Sequence, residues 1–241
     1  MIRVLRGDGP PLRIGHRGAA ALAPENTLRS FDVAIACGVD LVEFDVLALG
    51  DGTLVLAHSA DLAEPESDLP TLDEALAHLG GHPRVGLHLD LKTEGREQAI
   101  VAALRRHGAA GRTLVTSYDP VSLRRLGDLE PDVRLGLSYP LDRWGVARRR
   151  VLAPAALGAL AAMRASLPRR IGPRLARAGA TVASLQYMVV TRAVVERCHA
   201  LGAAVFAWTV DDPRIATRLA RAGVDGIITN DPRLFRGDLT T

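Results

Sequence analysis

Lysine is nearly absent from this chain. Of 30 basic residues, 29 are arginine and one, Lys92, is lysine. The two side chains are not interchangeable, so the single exception asks for a reason. Aromatic residues are scarce as well. Four Phe and three Tyr are too few stacking platforms for a nucleic-acid partner, even with a pI near 9.3. The two cysteines, Cys37 and Cys198, exclude a disulfide framework, their spacing is no zinc motif, and they read as buried free thiols. Long apolar runs are missing. The longest uncharged one in mid-chain, 151–163, is too short to span a bilayer and contains Pro154. The opening residues carry three arginines and two adjacent prolines rather than a charged-then-apolar leader. These absences give the expectation of a soluble, cytoplasmic protein. No Gly-x-Gly-x-x-Gly follows the first apolar run, which argues against dinucleotide binding.

What remains is globular in composition: 48% hydrophobic and 24% charged residues, in a chain of 241 long enough for one sizeable core. Strand-like runs fall at 12–15, 41–46, 84–91, 113–117, 133–138, 181–186, 204–210 and 226–229. Helical spacing recurs between them, at 27–37, 72–79, 96–107, 121–126, 192–201 and 213–222. Glycines 38, 80, 108, 202 and 223 follow helices where C-terminal caps are expected. This alternation predicts a (β/α)8 TIM barrel as one domain over 1–241, with a doubly wound open sheet as the alternative.

Residues 141–180 break the rhythm between the fifth and sixth strands. They hold nine arginines and one acid, Asp142, for a local charge of +8 that leaves −5 elsewhere. The stretch reads as two helices split near Ser166-Leu167-Pro168. Its plain reading is a solvated basic helix on the barrel wall. The sharper one is a surface for peripheral contact with anionic membrane or a phosphate substrate, through Trp144 and Arg148-Arg149-Arg150.

Strand periodicity locates the chemistry. Glu43 and Asp45 are two residues apart and share one face, as do His88, Asp90 and Lys92, while leucines take the other face in the latter strand. In a barrel that face points inward. Three carboxylates on neighbouring strands repel one another unless a cation joins them, and oxygen-only ligation favours Mg2+ or Ca2+. The competing reading is a salt bridge with Lys92, which satisfies one carboxylate and not three. His16 closes the first strand and His58 ends a short apolar run after Asp51-Gly52. Beside carboxylates and Arg17 this pair suits acid–base or nucleophilic chemistry, with Arg17 gripping a phosphate. Asn26 reads as the N-cap of a helix starting at Thr27, and Glu25 either faces the site or favours the helix N-terminus. His88 is an interior hydrogen-bonding residue or a member of the site. His78, His82, His107 and His199 read as surface residues.

Seven short segments, in order, resemble the glycerophosphodiester phosphodiesterase family: His16-Arg17-Gly18, Pro24-Glu25-Asn26-Thr27, Glu43-x-Asp45, Asp51-Gly52 with His58, Asp90-x-Lys92, Trp208-Thr209-Val210, and Gly226-Ile227-Ile228-Thr229-Asn230-Asp231-Pro232. The resemblance implies a TIM barrel that uses one divalent cation to hydrolyse glycerophosphodiesters to glycerol 3-phosphate and an alcohol. It implies His16 and His58 as the catalytic pair and Glu43, Asp45 and Asp90 as metal ligands. Arg17 and Lys92 would lie at the phosphate, and Glu25, Gln186 and Trp208 toward substrate. There are three departures. Asp90 stands where glutamate is usual, and Ser59 follows the second histidine where aspartate is usual. Only 59–70 separates His58 from Thr71, where the family commonly carries an insertion over the glycerol end. A more open site and relaxed glycerol specificity follow. Two rivals remain. A sphingomyelinase D-like or lysophospholipase D-like enzyme would share the histidines, the carboxylates and Asp-x-Lys, but would lack Pro-Glu-Asn-Thr and carry disulfides. A non-catalytic barrel that binds phosphodiesters or anionic membranes is the other. The expected partner is a small-molecule or lipid phosphodiester, not nucleic acid.

Overall fold

The computed structural model describes residues 2–59, 69–141 and 154–237. Eight parallel strands close into a barrel. They are β1 (Leu12–Gly15), β2 (Leu41–Ala48), β4 (Gly86–Leu91), β5 (Thr113–Ser117), β6 (Arg134–Tyr139), β7 (Val182–Gln186), β8 (Ala204–Trp208) and β9 (Gly226–Thr229). Each pairs with the next, and β1 pairs with both β9 and β2, so no edge is left open. The short β3 (Leu54–Val55) folds back antiparallel on the end of β2. The predicted TIM barrel is the observed architecture, and the closed ring removes the open-sheet alternative.

Helices α1 (Leu28–Ala36), α2 (Leu72–Gly80), α3 (Glu97–Arg106), α4 (Pro120–Leu129), α5 (Pro154–Ala178), α6 (Arg192–His199) and α7 (Pro213–Ala222) fall between the strands. Outward residues such as Val42, Phe44, Leu87 and Leu89 form one apolar layer with the buried helix faces. The lumen is filled differently. At its lower end Ile14, Leu41, Leu114, Val182, Ala204, Phe206 and Ile228 form an apolar plug. Two residues further along β2 and β4 the inward positions are Glu43 opposite His88, then Asp45 opposite Asp90. The plug makes the lumen a floor, and the ionisable groups stand on it at the C-terminal mouth, the end where barrels of this kind carry chemistry.

Local details correct the sequence reading in three places. Thr27, not Asn26, caps α1: its hydroxyl accepts from Ser30 N, and Ser30 returns the bond to the cap backbone. Gly80 is the last residue of α2 rather than its cap, whereas Gly38, Gly108, Gly202 and Gly223 do take positive φ after their helices. In the described residues of the segment read as two helices there is no split near Pro168: one helix, α5, passes through Pro168 and Pro173. Each internal proline removes a backbone bond. Leu167, Ile171, Leu175 and Ala178, buried at helical spacing, hold the helix together across them. This second half of α5 packs on α4, α6 and β6 and serves as the barrel's own crossover helix. Arg174 lies over the Tyr139 ring at 4.9 Å. Trp144 and Arg148-Arg149-Arg150 lie outside the described residues. Among the described residues no helix is long and apolar enough to cross a membrane.

Candidate active site

Glu43, Asp45 and Asp90 converge as periodicity predicts: one carboxylate oxygen from each lies within 4.8 Å of the others. Both β2 acids are buried, Asp45 to 1% exposure. Four cationic or imidazole groups surround them. Lys92 Nζ stands 2.9 Å from Asp45 Oδ1 and also donates to Asp90 Oδ2. Arg17 Nε is 3.0 Å and His58 Nδ1 is 3.3 Å from Asp45 Oδ2, close enough for ion pairing though neither is aligned as a hydrogen bond. His16 Nε2 is 4.0 Å from Glu43 Oε2.

The backbone around β1 is bent to build this site. Arg17 takes φ 51° and Asn26 φ 58°, both left-handed. That turn aims the Arg17 N–H at Glu43 Oε2, 2.7 Å away, while the side chain reaches Glu25 Oε1 at 2.7 Å. Gly18 follows with φ 83°, and a Cβ there would stand 2.3 Å from Ser30 Oγ, so only glycine fits between the turn and α1. Asn26 is buried and grips Asp45 twice: Nδ2 donates to Asp45 Oδ2, and Oδ1 accepts from Asp45 N, each at 3.0 Å.

Two hydrogen-bond chains fix histidine tautomers. Asp211 accepts from Asn230 N at 2.8 Å, from Asn230 Nδ2 at 2.7 Å and from Thr229 Oγ1 at 3.0 Å. With its amide hydrogens so engaged, Asn230 offers Oδ1 to His16 Nδ1 at 2.6 Å. That nitrogen therefore carries the proton, and Nε2 keeps its lone pair on the carboxylate side. In the second chain Thr116 Oγ1 donates to Asp90 Oδ1 at 2.6 Å and accepts from His88 Nε2 at 2.9 Å. His88 thus serves both roles considered for it: an interior hydrogen-bonding residue that also lines the site.

The electrostatics split the two β2 acids. Burial, reinforced by Asp45 and Asp90, pushes the Glu43 carboxyl well above its ordinary value. Burial also works against ionised Asp45, but contact with His58 and the charges of Lys92 and Arg17 win and hold it well below its ordinary value. Burial disfavours charge on Lys92 too, yet Asp90 and Asp45 raise its pKa. Burial and nearby Arg17 lower His16, and burial takes His88 down to about 4. The acids thus carry more potential negative charge than Lys92 and Arg17 neutralise. An all-oxygen set in which burial and neighbouring carboxylates raise the Glu43 pKa fits a hard divalent cation.

Above the cluster opens a cavity of about 1250 Å³. Every residue predicted for the site lines it: His16, Arg17, Glu25, Glu43, Asp45, His58, Asp90, Lys92, Gln186 and Trp208. Gln186 is tied down, accepting from Met188 N at 2.7 Å. Trp208 meets Tyr118 edge-on, with ring centroids 6.5 Å apart. The sequence reading missed Asn26 as a holder of Asp45, Asp211 and Asn230 as supports of His16, and Thr116. Of these only Thr116 carried a usable signal, since period two puts it on the inner face of β5 opposite Asp90.

The sequence profile of the glycerophosphoryl diester phosphodiesterase family matches residues 16–69 and 63–234. A glycerophosphodiester phosphodiesterase of Caldanaerobacter subterraneus is 25% identical over 92% of this chain and 94% of its own. Among solved structures, a protein of the same family from Silicibacter pomeroyi superposes with a TM-score of 0.76 at 26% identity, covering 97% of this chain and 95% of that one. A phosphodiesterase of Oleispira antarctica, solved in complex with the product sn-glycerol-3-phosphate, shares the fold with a TM-score of 0.73 at 24% identity, over 94% of this chain and 96% of that one.

Proposed function

The chain belongs to the glycerophosphoryl diester phosphodiesterase family, and from that premise we propose that it hydrolyses a glycerophosphodiester to glycerol 3-phosphate and an alcohol by histidine acid–base catalysis with one divalent cation. The observation that carries the reading is the meeting of three carboxylates, two histidines, Arg17 and Lys92 in one cavity at the barrel mouth. Glu43, Asp45 and Asp90 would hold the cation, Mg2+ or Ca2+. When bound, it supplies positive charge against the phosphoryl oxygens and a fixed point for orienting the diester.

Arg17 and Lys92 place donors at the same oxygens, where negative charge grows in the transition state. His16, with its proton fixed on Nδ1 by Asn230, takes the proton of the attacking hydroxyl at Nε2. The attacker is water, or the neighbouring glycerol hydroxyl, in which case the cyclic phosphate formed is opened by water in a second step to give glycerol 3-phosphate. As the new P–O bond forms, the bond to the departing alcohol breaks, and His58 delivers a proton to that oxygen. Asp45 faces Nδ1 of His58 and orients the ring for this step. Glu25 steadies Arg17, and Trp208 and Gln186 shape the substrate end of the cavity.

The test uses two substrates. Replacing either His16 or His58 with Ala should lower turnover of glycerophosphocholine by roughly 10²–10⁴-fold. On bis(p-nitrophenyl) phosphate, whose leaving group needs no proton, the His58→Ala variant should recover most of its activity and His16→Ala should not. Equal losses on both substrates would defeat the assignment of roles, and near-normal turnover in both variants would defeat histidine catalysis.

One observation favours a second reading of the alcohol. Ala159, Leu160 and Met163 of α5, with Met188 and Val189, give the cavity an uncharged wall, and no charged residue occurs from 154 to 163. Such a wall suits an acyl chain, as in a lysophospholipid. Leu160→Glu and Met163→Glu should then impair turnover of lysophosphatidylcholine and spare glycerophosphocholine. Equal effects on the two would remove this reading and leave the first intact.

A further inference from the structure

Two of the seven histidines, His78 and His82, occur four residues apart at the end of α2. Spacing of i and i+4 sets two side chains one above the other on a helix. His82 lies beyond the last helical residue, yet the intervening Gly81 keeps helical angles, φ −67° and ψ −11°, so the spacing survives. The two imidazoles have centroids 6.0 Å apart with planes tilted by 48°. Asp32 of α1 reaches into the same space, with Oδ1 2.7 Å from His78 Nε2. One ligand atom from each of Asp32, His78 and His82 lies within 4.8 Å of the others.

A surface ion pair at a helix C-terminus would account for Asp32 and His78. It leaves His82 unexplained, for its ring hydrogen-bonds to no described residue. We propose that Asp32, His78 and His82 form a second metal site, selective for Zn2+ or a similar borderline-soft ion, that clamps α1 to α2. Two imidazoles and one carboxylate make up a common three-ligand set for tetrahedral zinc, with water completing it. Donors around such an ion stand about 3.3 Å apart, given bonds of about 2.0–2.2 Å. The Asp32 side chain is 56% exposed and that of His78 27%, so both can turn to meet that spacing without disturbing the core.

The described residues thus hold two donor sets of different hardness. Glu43, Asp45 and Asp90 offer only oxygen, which suits Mg2+ or Ca2+, and saturating Mg2+ keeps this set occupied while Zn2+ is added. The helical site offers nitrogen, which those hard ions avoid. Its helices follow the two loops that carry His16 and His58, but the clamp touches neither histidine. Its effect is therefore expected in stability rather than turnover.

The experiment uses the full chain, stripped of metal and then saturated with Mg2+ to occupy the oxygen set. Zn2+ is titrated by calorimetry. One equivalent should bind, and at Zn2+ 100-fold above its Kd the melting temperature should rise by about 5–10 °C. His78→Ala and His82→Ala should each weaken binding at least 10-fold. The double variant should lose both the equivalent and the thermal shift while melting, without Zn2+, within a few degrees of the parent. Unchanged Zn2+ affinity in the double variant, or no Zn2+ equivalent in the Mg2+-saturated parent, would overturn the proposal. The test is independent of phosphodiesterase activity.

Discussion

Replacing Lys92 separates charge from shape at the one position where this arginine-rich chain keeps lysine. Lys92 Nζ lies 2.9 Å from Asp45 Oδ1 and also holds Asp90. At an effective dielectric near 20, one pair at that distance attracts by about 6 kcal/mol before desolvation is charged against it. Removing the cation from a buried pair leaves the net cost, about 3–5 kcal/mol. Lys92→Met should therefore lower the melting temperature by about 6–20 °C in a domain of this size, with part of the loss restored by a divalent cation. Lys92→Arg keeps the charge but spreads it over a wide planar fork, in a space with the Lys92 side chain at 15% exposure and Asp45 at 1%. The fold should survive, with a penalty of about 1–3 kcal/mol for overpacking. The displaced carboxylates and phosphate should cost turnover roughly 10²-fold, the usual consequence of an error near 1 Å in a reacting group. Calorimetric melts and kcat on glycerophosphocholine under saturating Mg2+ read the two effects apart. Full turnover in Lys92→Arg would refute the claim that shape matters here. An unshifted melt in Lys92→Met would refute the pairing energetics.

Asn26→Ala removes two bonds to Asp45, one of them to a carboxylate. A loss of about 2–4 kcal/mol in urea denaturation should accompany cation affinity weaker by about 10–100-fold; loss of stability with unchanged affinity would make Asn26 merely structural. The raised pKa of Glu43 sets a pH dependence. A carboxyl that keeps its proton stabilises the cation-free fold at low pH, and this contribution fades as pH rises through the folded pKa. A bound cation must displace that proton, so Mg2+ affinity measured by calorimetry should rise between pH 5 and pH 7, with proton release. A flat profile there would mean that Glu43 is not a ligand. Asp45, held low, adds nothing in that window. Gly18→Ala combines φ 83° with a Cβ 2.3 Å from Ser30 Oγ, which should cost about 2–6 kcal/mol and be visible as a lowered urea midpoint.

Much of this site was legible because a β-strand has an integral period. Glu43 and Asp45 had to share a face, as did Asp90 and Lys92, whatever the fold. That the two faces were the same one, inside a closed ring, needed only the eightfold alternation of elements. What period two cannot specify is the shear between strands, which sets Asp45 opposite Asp90 and Glu43 opposite His88. The second failure was local. Asn and Thr are both good N-caps, so Asn26-Thr27 supports either as the cap. The choice falls on Thr27 because Asn26 is drawn into a left-handed turn by Asp45, 19 residues away in sequence. The third was long-range: Asn230 orients His16 across 214 residues, and no propensity or spacing encodes that contact.

The Arg-rich stretch misled for a different reason. Pro168 is a strong local breaker, and a helix split there is what local preference favours. The stripe of Leu167, Ile171, Leu175 and Ala178 overrules it, because burying it against the barrel outweighs the bonds that two prolines remove. The same packing involves one of the arginines of the described residues. Arg174 lies over the Tyr139 ring, so this guanidinium also packs on the barrel wall. Ala159, Leu160 and Met163, in the uncharged first part of α5, line the cavity. A substrate with an acyl chain would therefore meet apolar surface on this side of the cavity. If so, high salt should weaken capture of a lysolipid far less than capture of glycerophosphocholine, which relies on Arg17, Lys92 and the bound cation without an acyl chain to bury. A KM for lysophosphatidylcholine that climbs with salt as steeply as that for glycerophosphocholine would show that charge, not the apolar wall, governs entry.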